Sequence, residues 1–166
     1  MAHDTGGTPG PSGFDDDELR AWSSVATLLE WLPAALDAQL RRDADLTHFE
    51  FGILYALSRA EGGTLRMSVL AGYANSTLSR LSRAVARLEQ RGWVDREPDP
   101  ADGRFVLAIL TDEGRRTAER AEPGHVALVR RLVLEPLGPA GAQELGASCR
   151  TVTQGIRADA AWVPGD

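Results

Sequence analysis

The chain contains no lysine: all eighteen of its basic residues are arginine. Arginine's planar fork suits phosphate and guanine. A coding bias toward Arg and Ala explains the same composition, so it carries no functional weight. Cysteine is nearly absent. The lone Cys149 cannot close an intrachain disulfide, and there is no cysteine pair of the kind that holds zinc. Histidine occurs three times, without the helical HxxxH spacing of a catalytic zinc site. No apolar run reaches the ~18 residues of a membrane span. The N-terminus lacks the basic-then-apolar order of a secretory signal, so a cytoplasmic protein with no membrane partner is expected. No Gly-rich phosphate loop appears, and no nucleophile has a motif with a base around it. Neither an enzyme nor a cofactor is expected.

What is present is one amphipathic segment around which the rest is organised. Wound as a helix, Ser76 to Arg91 places Leu78, Leu81, Val85 and Leu88 on one face. Ser76, Arg80, Arg83, Arg87 and Arg91 fall on the opposite one. One side is built to pack and the other to meet an anion. The net charge of −6 seems to oppose a nucleic-acid partner. Its distribution reverses that, because residues 1–50 carry ten acids against three basic residues, while residues 66–104 carry seven arginines against five acids. Affinity for DNA follows the charge at the contact face.

In chain order, residues 1–17 read as a disordered Gly/Pro/Ser/Thr-rich tail ending in acids that open a helix. That helix, within 18–45, has an apolar face of Trp22, Val25, Leu28, Leu29, Leu32, Leu36 and Leu40, with a kink or break at Pro33. The face is wide for a helix covered on one side only, and a second apolar partner such as another subunit is one explanation. Thr47 and Glu50 form a capping box for the next helix, which Gly62-Gly63 stops. A short helix from Arg66 or Met67 to Gly72 and a turn at Gly72–Asn75 lead to the arginine-striped helix, capped by Ser76 or Thr77. Gly92 ends it. A strand at Trp93–Arg96, a loop at Pro98–Gly103 and a strand at Arg104–Leu110 make a hairpin. Thr111 caps a helix that Pro123-Gly124 interrupts and that resumes from His125 to Leu134. A break at Pro136–Pro139 precedes a final helix to about Arg157, and residues 159–166 read as a frayed end.

These motifs resemble the MarR family of winged helix-turn-helix regulators. Leu46-Thr47 with Phe51, Leu54 and Leu57 is similar to the family's LTxxQFxVLxxL, with Glu50 in place of Gln. Leu70-Ala71, then Arg83, Val85, Arg87, Leu88, Glu89, Gly92, Val94 and Arg96, resembles LA(x11)RxVxRLExxGxVxR. Asp102, Arg104, Leu110-Thr111 and Gly114 resemble the wing signature DxR(x5)LTxxG. Asn75, Ser76 and Leu78 depart from the common Gly-Val-Ser-Arg start of the recognition helix. The resemblance implies a mainly α fold with a small β-hairpin wing: a winged helix-turn-helix over 46–110, with dimerisation helices at 18–45 and 111–158. It also implies a homodimer on double-stranded DNA at a pseudo-palindromic operator, acting as a repressor that a small phenolic or aromatic effector releases.

On that footing Ser76, Thr77 and Ser79 are candidates for a phosphate grip at the helix start. Arg80 and Arg83, with Ser82 beside them, are candidates for base edges, and Arg87 and Arg91 for phosphates. Arg104 is the wing residue suited to a narrow minor groove, oriented by Asp102, while Arg96 supports the wing base. Trp22, Trp31, His48 and Tyr55 are candidates for a ligand pocket, with packing as their bland alternative. A metal sensor through His48, Glu50, Glu122 and His125, a redox sensor through Cys149, and a helical protein-interaction module without DNA remain as alternatives.

Overall fold

A computed structural model describes residues 13–158. The expected tail up to residue 12 and the frayed end at 159–166 lie outside the described residues. Helix α1 (Asp16–Ala44) is followed by α2 (His48–Arg59), strand β1 (Thr64–Arg66), α3 (Met67–Tyr73) and α4 (Leu78–Gln90). Strands β2 (Val94–Pro98) and β3 (Val106–Leu110) lead to α5 (Asp112–Val129). A wider π-helical turn, Arg130–Leu134, joins α5 to α6 (Glu135–Ala158). The chain divides into two compact units at Ala35–Leu36, inside α1.

In the N-terminal unit, Asp15 caps α1: its carboxylate accepts from the Asp17 and Glu18 N–H groups, each at 2.9 Å. Asp16 and Asp17, read from sequence as acids that open the helix, lie in its first turn. Pro33 does not break α1. It removes one N–H donor, and the hydrogen-bond ladder on either side carries the helix through. Leu19, Trp22, Val25, Leu28, Leu29 and Trp31 are all exposed.

The second unit holds the core, where Leu40, Leu46, Ile53, Leu54, Leu81 and Leu88 are fully buried. The capping box at α2 forms as expected: Thr47 Oγ1 accepts from Glu50 N–H, and the Glu50 carboxylate accepts from Thr47 N–H, both at 3.0 Å. The sheet has three strands rather than the hairpin alone, in the order β1-β3-β2, all antiparallel. Strand β1 is too short to show a pattern, and only its pairing with β3 makes it a strand. The buried stripe of α4 is Leu81, Ala84, Val85 and Leu88. Leu78, expected on that stripe, is 42% exposed because the first turn of α4 stands clear of the core.

Pro123-Gly124 does not interrupt α5. Gly124 serves close approach instead: a Cβ there would press on the side chains of Gln39 and Asp43. The expected break before the last helix falls at Gly138, whose φ is +65°. At the start of α5, Thr111 accepts from Gly114 N–H at 3.0 Å and donates its hydroxyl to Gly92 O at 2.8 Å. This turn seats α5 directly on the end of α4, and a Cβ at Gly114 would collide with the Trp93 carbonyl oxygen.

His48 on α2 and His125 on α5 stack, with centroids 5.6 Å apart and planes 24° from parallel. Both Nδ1 atoms are buried without a hydrogen-bond partner among the described residues. Burial lowers the His48 pKa, against the attraction of Asp37. Burial and then repulsion from His48 lower that of His125, against Glu122. Both rings therefore favour the neutral form in the fold, whereas an unfolded chain titrates near about 6.5.

Gly114→Ala should cost about 2–3 kcal/mol by overpacking, seen as a lower urea midpoint; an unchanged midpoint would mean the turn shifts freely. The histidine pair gives a second expectation. Below about pH 6.5 the unfolded state binds more protons, so the pair's contribution is complete above that range and is lost as pH falls toward the folded values. Between about pH 7.5 and 5.5, His125→Phe should lose less stability than the parent chain. Equal losses in denaturant titrations would rule this linkage out.

Candidate nucleic-acid interface

Between α3 and α4, Asn75 takes a left-handed conformation (φ 45°), and Ser76 N–H bonds back to Ala71 O at 3.0 Å. This tight turn buries Ser76, which is 3% exposed and donates its hydroxyl to Thr77 O. Ser76 is therefore not on the anion-facing side, a correction to the sequence reading. Thr77 is the N-cap of α4, accepting from Arg80 N–H at 3.2 Å. Ser79, Arg80 and Arg83 are exposed on the first turns, and Ser82 is half-buried.

The arginines divide by what holds them. Arg80 lays its guanidinium over the Phe49 ring, 4.7 Å from the centroid. Arg87 Nε donates to Glu50 Oε1 at 2.8 Å. Burial pushes the Glu50 carboxyl up, but the bonds from Thr47 and Arg87 outweigh it and bring the pKa below its ordinary value. Arg91 donates to the Asp45 carbonyl and carboxylate at 2.6 and 2.9 Å, and stacks on Trp93 at 3.7 Å. Sequence reading proposed Arg87 and Arg91 for phosphates; each also has a carboxylate partner, Glu50 and Asp45. Among the described residues, Arg80 and Arg83 are the α4 arginines without one.

In the wing, Arg104 grips Asp102 through two bonds, Nε to Oδ1 at 2.9 Å and Nη2 to Oδ2 at 2.6 Å, with its own side chain 84% exposed. The Arg104 bonds hold the Asp102 carboxyl below its usual range. Arg96 donates to Glu89 at 2.9 Å and ties β2 to α4. A groove of about 210 Å3 between α4 and the wing is lined by Leu78, Ser82, Arg96, Arg104 and Phe105. Sequence reasoning missed the wing's main brace. Arg66 donates to the buried Asp99 at 2.7 Å and lies over the Phe105 ring at 4.6 Å. The Asp99 carboxylate also accepts from Ala101 N–H at 2.8 Å, an Asx turn that the Pro-Asp-Pro run foreshadowed.

His48 and Tyr55 line two cavities of about 590 and 480 Å3, both formed wholly by residues of the second unit. The larger also takes Phe49 and Tyr73; the smaller takes His125, Glu122 and Arg130. Trp22 and Trp31, grouped with them from sequence, belong to the N-terminal unit and are exposed. Among the described residues no cluster of three or more His, Cys, Asp or Glu could hold a metal. Of the four proposed metal ligands, Glu50 is taken up by its cap and Arg87. Cys149 is exposed. No helix among the described residues is long and apolar enough to cross a membrane.

Comparison with known proteins supplies the context for this geometry. A MarR family profile matches residues 44–104. The chain is 42% identical to Sco3205, a MarR family transcriptional regulator from Streptomyces coelicolor solved in complex with DNA. That match has a TM-score of 0.89 over 95% of this chain and 99% of the other. AbsC, a MarR family regulator from the same organism, is 32% identical, with a TM-score of 0.85 over 90% and 100% of the two chains. The Escherichia coli regulator HosA is 37% identical over 79 residues, 48% of this chain and 57% of that protein. The chain spans about half the length of the curated relatives it matches. The winged helix-turn-helix and these likenesses together establish that the chain belongs to the MarR family of transcriptional regulators.

Proposed function

We propose that the protein is a sequence-specific DNA-binding repressor that acts in the cytoplasm as a homodimer on a pseudo-palindromic operator. The observation that carries this reading is the state of Arg80 and Arg83: exposed, just inside a capped helix start, and without a carboxylate partner among the described residues. The likeness to Sco3205, which was solved with DNA, points the same way. In this reading α4 enters the major groove with Arg80 and Arg83 at base edges, and Thr77 and Ser79 meet a phosphate. Arg87 and Arg91 add backbone contacts while anchored to Glu50 and Asp45. Arg104, pre-oriented by Asp102, enters the flanking minor groove.

The homodimer rests on apolar surface. Residues 18–45 expose Trp22, Leu28 and Leu29, and residues 111–158 expose Leu134, Val152 and Ile156. A second copy would cover both sets, which leaves 46–110 as the DNA-binding part. Two-fold symmetry then requires two half-sites on the DNA. The cavities at His48 and Tyr55 have the size and aromatic lining for a small aromatic effector. Such an effector releases DNA only if it binds the DNA-incompetent form more tightly.

On a labelled fragment from DNA selected by the purified protein, Arg83→Ala should weaken binding about 10-fold and relax base preference. Arg104→Ala should weaken binding chiefly to A/T-rich flanks. Removing any one phosphate-binding arginine should flatten the log–log salt dependence by about 0.9. Selection that enriches no sequence, or no binding at low salt, would refute the reading. For the dimer, sedimentation should give twice the chain mass, and Leu28→Arg should lower it toward the monomer. A monomeric parent chain at micromolar concentration would exclude that arrangement.

A further inference from the structure

Two neighbouring residues in the first turn of α2 hold two arginines of α4 in different ways. Glu50 holds Arg87 with a carboxylate, so the charge that positions the guanidinium also neutralises it. Phe49 holds Arg80 with a ring face, 4.7 Å below the guanidinium carbon, and adds no negative charge. A cation over an aromatic face is attracted electrostatically by the ring. That face offers no oxygen to the guanidinium's N–H donors, so they are left for another acceptor. An exposed arginine otherwise keeps many rotamers, and ordering them on binding costs affinity. Phe49 can serve as a fixed platform because it is half-buried against the core at the start of α2, between the two halves of the Thr47–Glu50 capping box.

We infer that Phe49 is a positioning residue for DNA recognition: its ring pre-orders Arg80 while leaving the guanidinium's charge and donors for a base edge. This rests on the proposed DNA-binding function and assigns one of its specificity determinants to a residue off the recognition helix. Phe49 itself touches no base. It acts through Arg80, so its effect must vanish once Arg80 is gone.

The test is a double-mutant cycle with the full-length chain and a selected DNA fragment, read by fluorescence anisotropy. Phe49→Leu should weaken binding roughly 5-fold and relax preference at the same base pair as Arg80→Ala. Phe49→Tyr, which keeps the ring, should stay within about 2-fold of the parent. In the Arg80→Ala background, Phe49→Leu should change affinity by less than about 2-fold. Thermal melts check folding, and Phe49→Met replaces the leucine variant if that variant melts early. Parent-level binding by the folded leucine or methionine variant would overturn the inference. So would an equal loss with and without Arg80, the mark of a merely structural role. A parent chain that binds no DNA would sink the proposed function itself, a result distinct from either.

Discussion

The Glu50 carboxylate joins the start of α2 to the last turn of α4. One oxygen accepts from Thr47 N–H and Oγ1 at 3.0 and 2.9 Å; the other accepts from Arg87 Nε at 2.8 Å. Its side chain is only 9% exposed, and a carboxylate this buried is tolerated because its hydrogen bonds are satisfied. Removing Arg87 would leave it short of a partner, which for a buried pair costs about 3–5 kcal/mol, and less here because Arg87 is half-exposed. This contact and the buried stripe of Leu81, Ala84, Val85 and Leu88 together hold α4, and with it the arginine stripe, to the core.

Charge counting over residues 66–104 leaves out ion-pair partners that lie elsewhere in the chain. Residues 66–104 look positive, with seven arginines against five acids. Two of those arginines find their carboxylates outside the window, at Asp45 and Glu50. Once these are counted, the seven arginines face seven acids. Asp99, Asp102 and Glu89 hold Arg66, Arg104 and Arg96. What sets α4 apart is therefore not surplus charge but its two arginines without a carboxylate partner among the described residues, Arg80 and Arg83.

What was legible in the sequence was local. The Thr47–Glu50 box, the caps at Thr77 and Thr111 and the Asp102–Arg104 pair each span three residues or fewer, and each forms as its pattern suggests. What was not legible depends on distant packing. The Arg87–Glu50 and Arg91–Asp45 contacts cross 37 and 46 residues. Strand β1 exists only through β3, and α1 and α5 run on through Pro33 and Pro123. Ser76 and Leu78 exchanged places, one buried and the other exposed, because the left-handed turn at Asn75 sets where α4 starts. Helical periodicity gives the faces of a helix but not its first residue.

The first turn of α2 also shows how distant parts of the fold could be coupled without a long pathway. Three consecutive residues there reach three different partners. His48 stacks on His125 of α5, Phe49 carries Arg80, and Glu50 holds Arg87. Successive helical residues point about 100° apart, so one turn faces both α5 and the arginines of α4. His48, Phe49 and Glu50 share that one turn, which its capping box closes. Coupling then needs only two discrete packings of α2 against α5 that differ in free energy. The cavities at His48 lie on both sides of that turn, one shared with Phe49 and the other with His125.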